Sequence, residues 1–229
     1  MISVTGRIAP CPTAMGVCAV TERIEGLRLP RTERRQQILA AAAQAFSESG
    51  FHGTSLADVA TRVGVSQPGL LHHYPNKQAL ILAVLEERDD EDHRYLEETF
   101  RESDPSVVDW LMALCRRNAG QPDLVQLYTV TAAESLDSAH PAHEFFQTRY
   151  QRIRTVLAHR IGLDQQKGRL DASLDPVGLA AELVALMDGL QLQWLMRPPV
   201  DMCALLERSL QRLVATGPTT SGSEAREDA

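Results

Sequence analysis

The chain has 229 residues, 44% apolar, 23% charged and 5% aromatic, with a net charge of −7. That length supplies one large domain or two small ones. No apolar run reaches the roughly 18 residues that cross a membrane, and Cys11, Cys18, Cys115 and Cys203 lack zinc-ligand spacing, so a reduced cytoplasmic protein is expected.

Residues 1–30, broken by Pro10, Pro12 and Pro30, read as a flexible arm, and the two prolines inside its mildly apolar stretch argue against a secretory signal. From Arg34 to Ser49 a helix is expected on the stripe Ile38, Ala42, Ala45 and Phe46, with Thr32 as cap and Gly50 as stop. Ser55 caps a second, short helix carrying Leu56, Val59, Ala60 and Val63 and ending at Gly64. Ser66 caps a third, over about 66–73, closed by Pro75. Asn76 caps a long fourth helix reaching about Arg101, with Leu80, Ile81, Val84, Leu85, Tyr95, Leu96 and Phe100 at helical spacing. Its acidic run, Asp89, Asp90, Glu91 and Asp92, reads as solvated, because adjacent residues fan around a helix.

Further helices are expected over about 105–119, 122–138, 141–161, 175–197 and 200–215, and residues 216–229 as a disordered tail. No alternating strand pattern and no repeat is visible, so the fold class is all-α. Two late apolar stripes exceed what one core needs: Leu179, Leu183, Leu186, Met187, Leu190 and Trp194, then Met202, Leu205, Leu206, Leu210 and Leu213. They are the expected homodimer interface, as a two-fold four-helix contact.

Charge is uneven. Residues 1–80 hold eight basic against five acidic side chains, residues 81–229 fifteen against twenty-five, which suggests a small anion-binding module on an acidic body. The stretch 54–80, TSLADVATRVGVSQPGLLHHYPNKQAL, has helix-turn-helix grammar: Ala60 lets two helices approach, Gly64 allows a left-handed turn, and Val65 and Leu70 pin the pair. With Phe46, Gly50, Thr54, Tyr74, Lys77 and Leu80 at their offsets, residues 34–80 resemble the amino-terminal domain of TetR-type (tetracycline-repressor-like) regulators. The segment GRLDASLDPVGLAAELVALMDGLQLQWL resembles the dimerisation helix of many members. The resemblance implies an N-terminal three-helix helix-turn-helix domain and a C-terminal helical ligand-binding and dimerisation domain. The expected division is arm 1–30, DNA-binding domain 31–91 with its helix-turn-helix at about 54–73, effector and dimer domain 92–215, and tail 216–229.

It also implies a homodimeric repressor of double-stranded DNA, bound at an inverted-repeat operator and released by a small-molecule effector. The alternative is a helical sensor or interaction module with little specific DNA binding. Ser66, Gln67, Pro68 and Gly69 open the recognition helix, and Gln67 suits a bidentate bond to adenine, while Pro68 and Leu71 suit a thymine methyl. Gly69 and Leu71 depart from the family's frequent Thr and usual Tyr, so DNA shape would carry more of the reading. By resemblance Thr54, Ser55, His72, His73, Tyr74 and Lys77 hold phosphates, and Arg31, Arg34 and Arg35 add non-specific contacts.

Trp110, Met112, Cys115, Tyr128, Thr131, Phe145 and Trp194 are the pocket candidates. The acidic stretches 86–92 and 97–102 favour a neutral or cationic effector. His140 and His143 lie three apart beside Glu144, but Pro141 between them and the lack of a third ligand argue against a metal site. No nucleophile elbow or phosphate loop is present, so no enzyme, cofactor or membrane role is expected.

Overall fold

The computed structural model describes residues 31–196 and 200–215. The arm 1–30 and the tail 216–229 lie outside the described residues. The described residues form nine α-helices and no strand: α1 Arg31–Gly53, α2 Leu56–Val63, α3 Gln67–His73, α4 Lys77–Thr99, α5 Val107–Ala119, α6 Pro122–Glu134, α7 His143–Gln166, α8 Pro176–Leu195 and α9 Met202–Ala215. No helix among them is long and apolar enough to cross a membrane.

The caps act where their side chains suggest. Ser55 Oγ accepts the Asp58 N–H, Ser66 Oγ the Gly69 N–H and Asn76 Oδ1 the Ala79 N–H, each satisfying an orphan donor at a helix start. Gly64 ends α2 at φ 71°, and the Val65 N–H returns to the Ala60 carbonyl. Two boundaries differ from expectation. Thr32 lies inside α1 rather than capping it, and Gly50 kinks α1 at φ 67° without ending it. A side chain is strained at that φ, and a Cβ there would also stand 2.5 Å from Glu134 Oε1.

Two apolar cores result. The first joins Ile38, Phe46, Leu70, Leu80, Ile81 and Leu85 to Leu127, Ala142 and Phe146. The second joins Leu111, Cys115, Leu157 and Ile161 to Leu183, Leu206 and Leu210. The first core thus crosses the expected boundary at residue 91, and α4 runs straight through it. Helix α6 lies along α1, α8 along α7, and α9 along α5 and α8.

This packing places six residues of the expected dimer stripe in the chain's own core. Leu179, Leu183, Leu190, Met202, Leu206 and Leu210 are buried inside their own chain, and Leu186, Met187, Trp194, Leu205 and Leu213 are half-buried against the same core. The apolar side chains that α8 and α9 leave exposed are instead Val177, Leu192 and Val214, with Met196 just beyond α8. In the acidic run of α4, Asp90 is exposed as expected, whereas Asp89 and Asp92 are covered by arginines. Asp89 accepts from Arg149 Nε at 2.9 Å and pairs with Arg152, and Asp92 pairs with Arg88 at 3.2 Å and Arg117 at 2.8 Å.

Candidate nucleic-acid interface and effector cavity

Helix α3 has one buried side chain, Leu70, fully enclosed, which fixes it on the scaffold of α1, α2 and α4. Its first turn faces out: Ser66, Gln67, Pro68, Leu71 and His72 are exposed. Gly69 and His73 are half-buried, and the His72 and His73 rings stand 5.9 Å apart, nearly perpendicular, so the two do not share a direction. A Cβ on Gly69 would meet Ser66 Oγ at 3.2 Å, so the glycine also relieves crowding at the cap. Gln67 therefore stands on an exposed turn with Pro68 beside it, the arrangement that base-edge reading needs.

Three phosphate candidates, Thr54, Ser55 and Lys77, are engaged within the chain, and a fourth, Tyr74, is buried with its hydroxyl unpaired among the described residues. Thr54 is buried and its hydroxyl is 2.8 Å from the Gly50 carbonyl and 3.0 Å from that of Ala45. The Ser55 hydroxyl donates to Asp58 Oδ2 at 2.6 Å. Tyr74 is buried to 7% exposure, and burial raises its phenol pKa although the nearby Arg35 guanidinium opposes this. Lys77 Nζ donates to the carbonyls of Phe51 at 2.7 Å and Thr54 at 2.9 Å and sits 4.5 Å above the Phe51 ring. That ammonium closes the end of α1, a use that favours a cation near helix carbonyls. Arg35 reaches across to Glu87 at 2.8 Å, and Arg62 to Glu48 at 2.6 Å; both are solvent-facing pairs that phosphate could replace at little cost. The Arg31 side chain is not described.

A second feature lies in the body. A cavity of about 420 Å³, partly open to solvent, is lined by α4, α5, α6, α7 and α8. Its wall is mainly apolar, with Trp110, Leu114, Tyr128, Phe146, Ile153 and Met187 among its residues. Polar groups enter at fixed places. Arg88 is buried, donates to Asn118 at 2.9 Å and to Gln121, and burial lowers its pKa. The Tyr128 hydroxyl donates to the Leu85 carbonyl at 2.5 Å, and burial pushes its pKa up. Tyr150 donates to Asp188 at 2.9 Å; burial raises both, the phenol to about 12. The size and the few convergent polar groups match a small-molecule site.

Of the pocket candidates, Trp110 and Tyr128 line the cavity. Met112, Cys115 and Thr131 are buried elsewhere, and Phe145 and Trp194 pack half-buried outside its wall. Asp89 and Asp92, the acidic residues of α4 nearest the cavity, pair with Arg88, Arg117, Arg149 and Arg152, so these two do not dictate a cationic effector. His140 Nδ1 lies 3.0 Å from the Ser135 hydroxyl and His143 Nδ1 2.8 Å from the Ser135 carbonyl, and the described residues hold no cluster of three His, Cys, Asp or Glu.

Comparison with known proteins decides the family. The model of the tetR family of bacterial regulatory proteins matches residues 38–84, and that of the BetI-type transcriptional repressor C-terminal domain matches residues 106–215. The chain is 30% identical to the regulator TtgR of Pseudomonas putida over 192 residues, covering 77% of this chain and 87% of TtgR. It belongs to the TetR family. The solved structure of Salmonella enterica GusR overlays on 83% of this chain and all of that one, with TM-score 0.64 and 26% identity. The activator FasR of Mycolicibacterium smegmatis is 48% identical, but over 61 residues, 27% of this chain and 28% of FasR. The TetR family is one of regulators rather than enzymes.

The TetR motif led to the outer face of α3 and missed what stands behind it. Glu134, the last residue of α6, accepts the Phe51 N–H at 3.0 Å, and Gln126 donates to the Ser47 carbonyl at 2.9 Å. Both join the cavity wall to α1. The sequence signal was Gly50 alone, since a positive φ inside a helix needs a reason.

Proposed function

We propose that the chain is a homodimeric transcriptional repressor acting in the cytoplasm, which binds an inverted-repeat operator through α3 and leaves it when a small, mainly apolar molecule fills the cavity. Residues 31–91 form the DNA-binding module in this reading, and 92–215 the effector and dimer unit. The observation that carries it is the coexistence, on one set of helices, of an exposed α3 first turn and a mainly apolar 420 Å³ cavity. Two helices connect them. Helix α4 begins at Lys77 behind α3 and brings Arg88 and Asp92 to the cavity. Helix α6 lines the cavity with Val125, Tyr128 and Ala132 and ends on the α1 kink at Glu134. An effector that prefers one tilt of these helices shifts the spacing of the two recognition helices, and one with equal affinity for both tilts shifts nothing. The outward apolar residues Val177, Leu192, Met196 and Val214 support a second copy on the α8–α9 face.

A gel-shift titration of the full chain on the DNA upstream of its own gene tests this. A retarded band that survives excess unrelated duplex is expected. Retardation abolished by any competitor would favour the reading as a helical sensor without specific DNA binding.

A further inference from the structure

Cys115 on α5 and Cys203 on α9 are 88 positions apart in sequence, yet their sulfurs are 3.1 Å apart, both as free thiols. Cys115 is fully enclosed, whereas Cys203 is half-buried. A disulfide needs the sulfurs at about 2.05 Å, so closure asks for a movement of about 1 Å between two helices already packed together. We propose that Cys115 and Cys203 are an oxidisable dithiol, which a hydroperoxide converts to an internal disulfide between α5 and α9, and that this staple changes operator affinity. The last clause rests on the operator reading above.

The difference in exposure sets the order of steps. The sulfur of Cys203, the less buried residue of the two, attacks the terminal oxygen of the hydroperoxide. The O–O bond breaks, the alcohol leaves with the thiol proton, and Cys203 becomes a sulfenic acid. The Cys115 sulfur then attacks the Cys203 sulfur, the S–O bond breaks, and the hydroxide leaves as water with the Cys115 proton. Two thiols lose two electrons, and one hydroperoxide is reduced to alcohol and water. Burial and the neighbouring Cys203 push the Cys115 thiol pKa up, which leaves Cys203 as the first of the two to react. Helix α5 also carries Trp110 and Leu114 of the cavity wall, so tying it to α9 selects among the tilts that the effector selects among.

The test uses the full chain with Cys11→Ser and Cys18→Ser, so that only this pair can react. One equivalent of cumene hydroperoxide should lower the intact mass by about 2 Da, give a linked Cys115–Cys203 peptide, and be reversed by dithiothreitol. Cys115→Ser should stop at a Cys203 sulfenic acid that dimedone captures, and Cys203→Ser should take up no dimedone. Operator affinity should differ at least about fivefold between the oxidised and reduced chain. Absence of the linked peptide, or its formation only in denaturant, overturns the dithiol. A linked chain whose operator affinity stays within about twofold overturns the switch. A chain that links its sulfurs but binds no operator in either state keeps the oxidation site and overturns the operator reading, so the two failures are told apart.

Discussion

Lys77 and Gln67 stand on the same small module with opposite engagements. The Lys77 ammonium is held by carbonyls of the α1–α2 turn, while Gln67 is exposed at the head of α3. Lys77→Met should therefore lower stability by about 1–3 kcal/mol, because it strands buried carbonyls, and weaken every duplex together. Gln67→Ala should leave the unfolding midpoint unchanged and relax one base position by about 1–3 kcal/mol. Urea unfolding and binding to a randomised duplex library separate the two; equal unfolding midpoints for wild type and Lys77→Met would refute the structural role. Gly50, at φ 67° and ψ −179°, occupies a region essentially reserved for glycine. Gly50→Ala should cost about 1–3 kcal/mol from backbone strain before any clash with Glu134 is counted.

His140 gives the pH response. It is 6% exposed, its Nδ1 accepts the Ala142 N–H at 3.2 Å, and its Nε2 points toward Glu134 at 3.8 Å. Burial lowers its pKa, Glu134 opposes this, and His52 adds to it. The folded chain therefore holds the neutral ring, and the unfolded chain takes up the extra proton. This contribution to stability is full above the ordinary histidine value of about 6.5 and is lost as pH falls through the depressed one. The thermal midpoint should drop between pH 7 and 5, and His140→Gln should flatten that drop; a slope unaltered by the substitution would assign it to other groups.

At the scale of elements, the helices were legible because each capping residue stands next to its apolar stripe. Ser55, Ser66 and Asn76 all accept backbone N–H groups as their positions suggest. Endings were less legible. Helix α7 continues through Gly162 to Gln166, because Ile161 and the buried Asp164 on either side are fixed by tertiary contacts, Asp164 accepting the Val107 N–H at 2.7 Å. Packing outweighs the roughly 1 kcal/mol that glycine costs a helix. Partner choice was not legible at all. A leucine stripe does not say whether its own chain or another covers it, so six expected interface residues are core, and the acidic run of α4 conceals its arginines, about 25 to 63 positions away. The outward face makes the dimer testable. Met196→Asp should shift sedimentation toward monomer with the fold intact, whereas Leu206→Ala should cost about 2–5 kcal/mol of stability.

At the scale of the whole molecule, the proposed function has one surface report on one cavity through α4 and α6. Reciprocity requires an effector that weakens operator binding to be weakened by operator to the same extent, typically about 5–150-fold. Glu134→Ala, which frees α6 from the Phe51 N–H, should leave effector affinity within about twofold while blunting operator release. Equal release by both chains would assign the coupling to α4 alone.

The central claim, a two-fold reader of double-stranded DNA, is tested most directly by selecting operators from a randomised duplex library with the full chain and sequencing what it retains. The account predicts an inverted repeat whose half-site centres lie one helical turn, about 34–36 Å, or a multiple of it, apart. Retained sequences with no common motif, or a single half-site without symmetry, would contradict it.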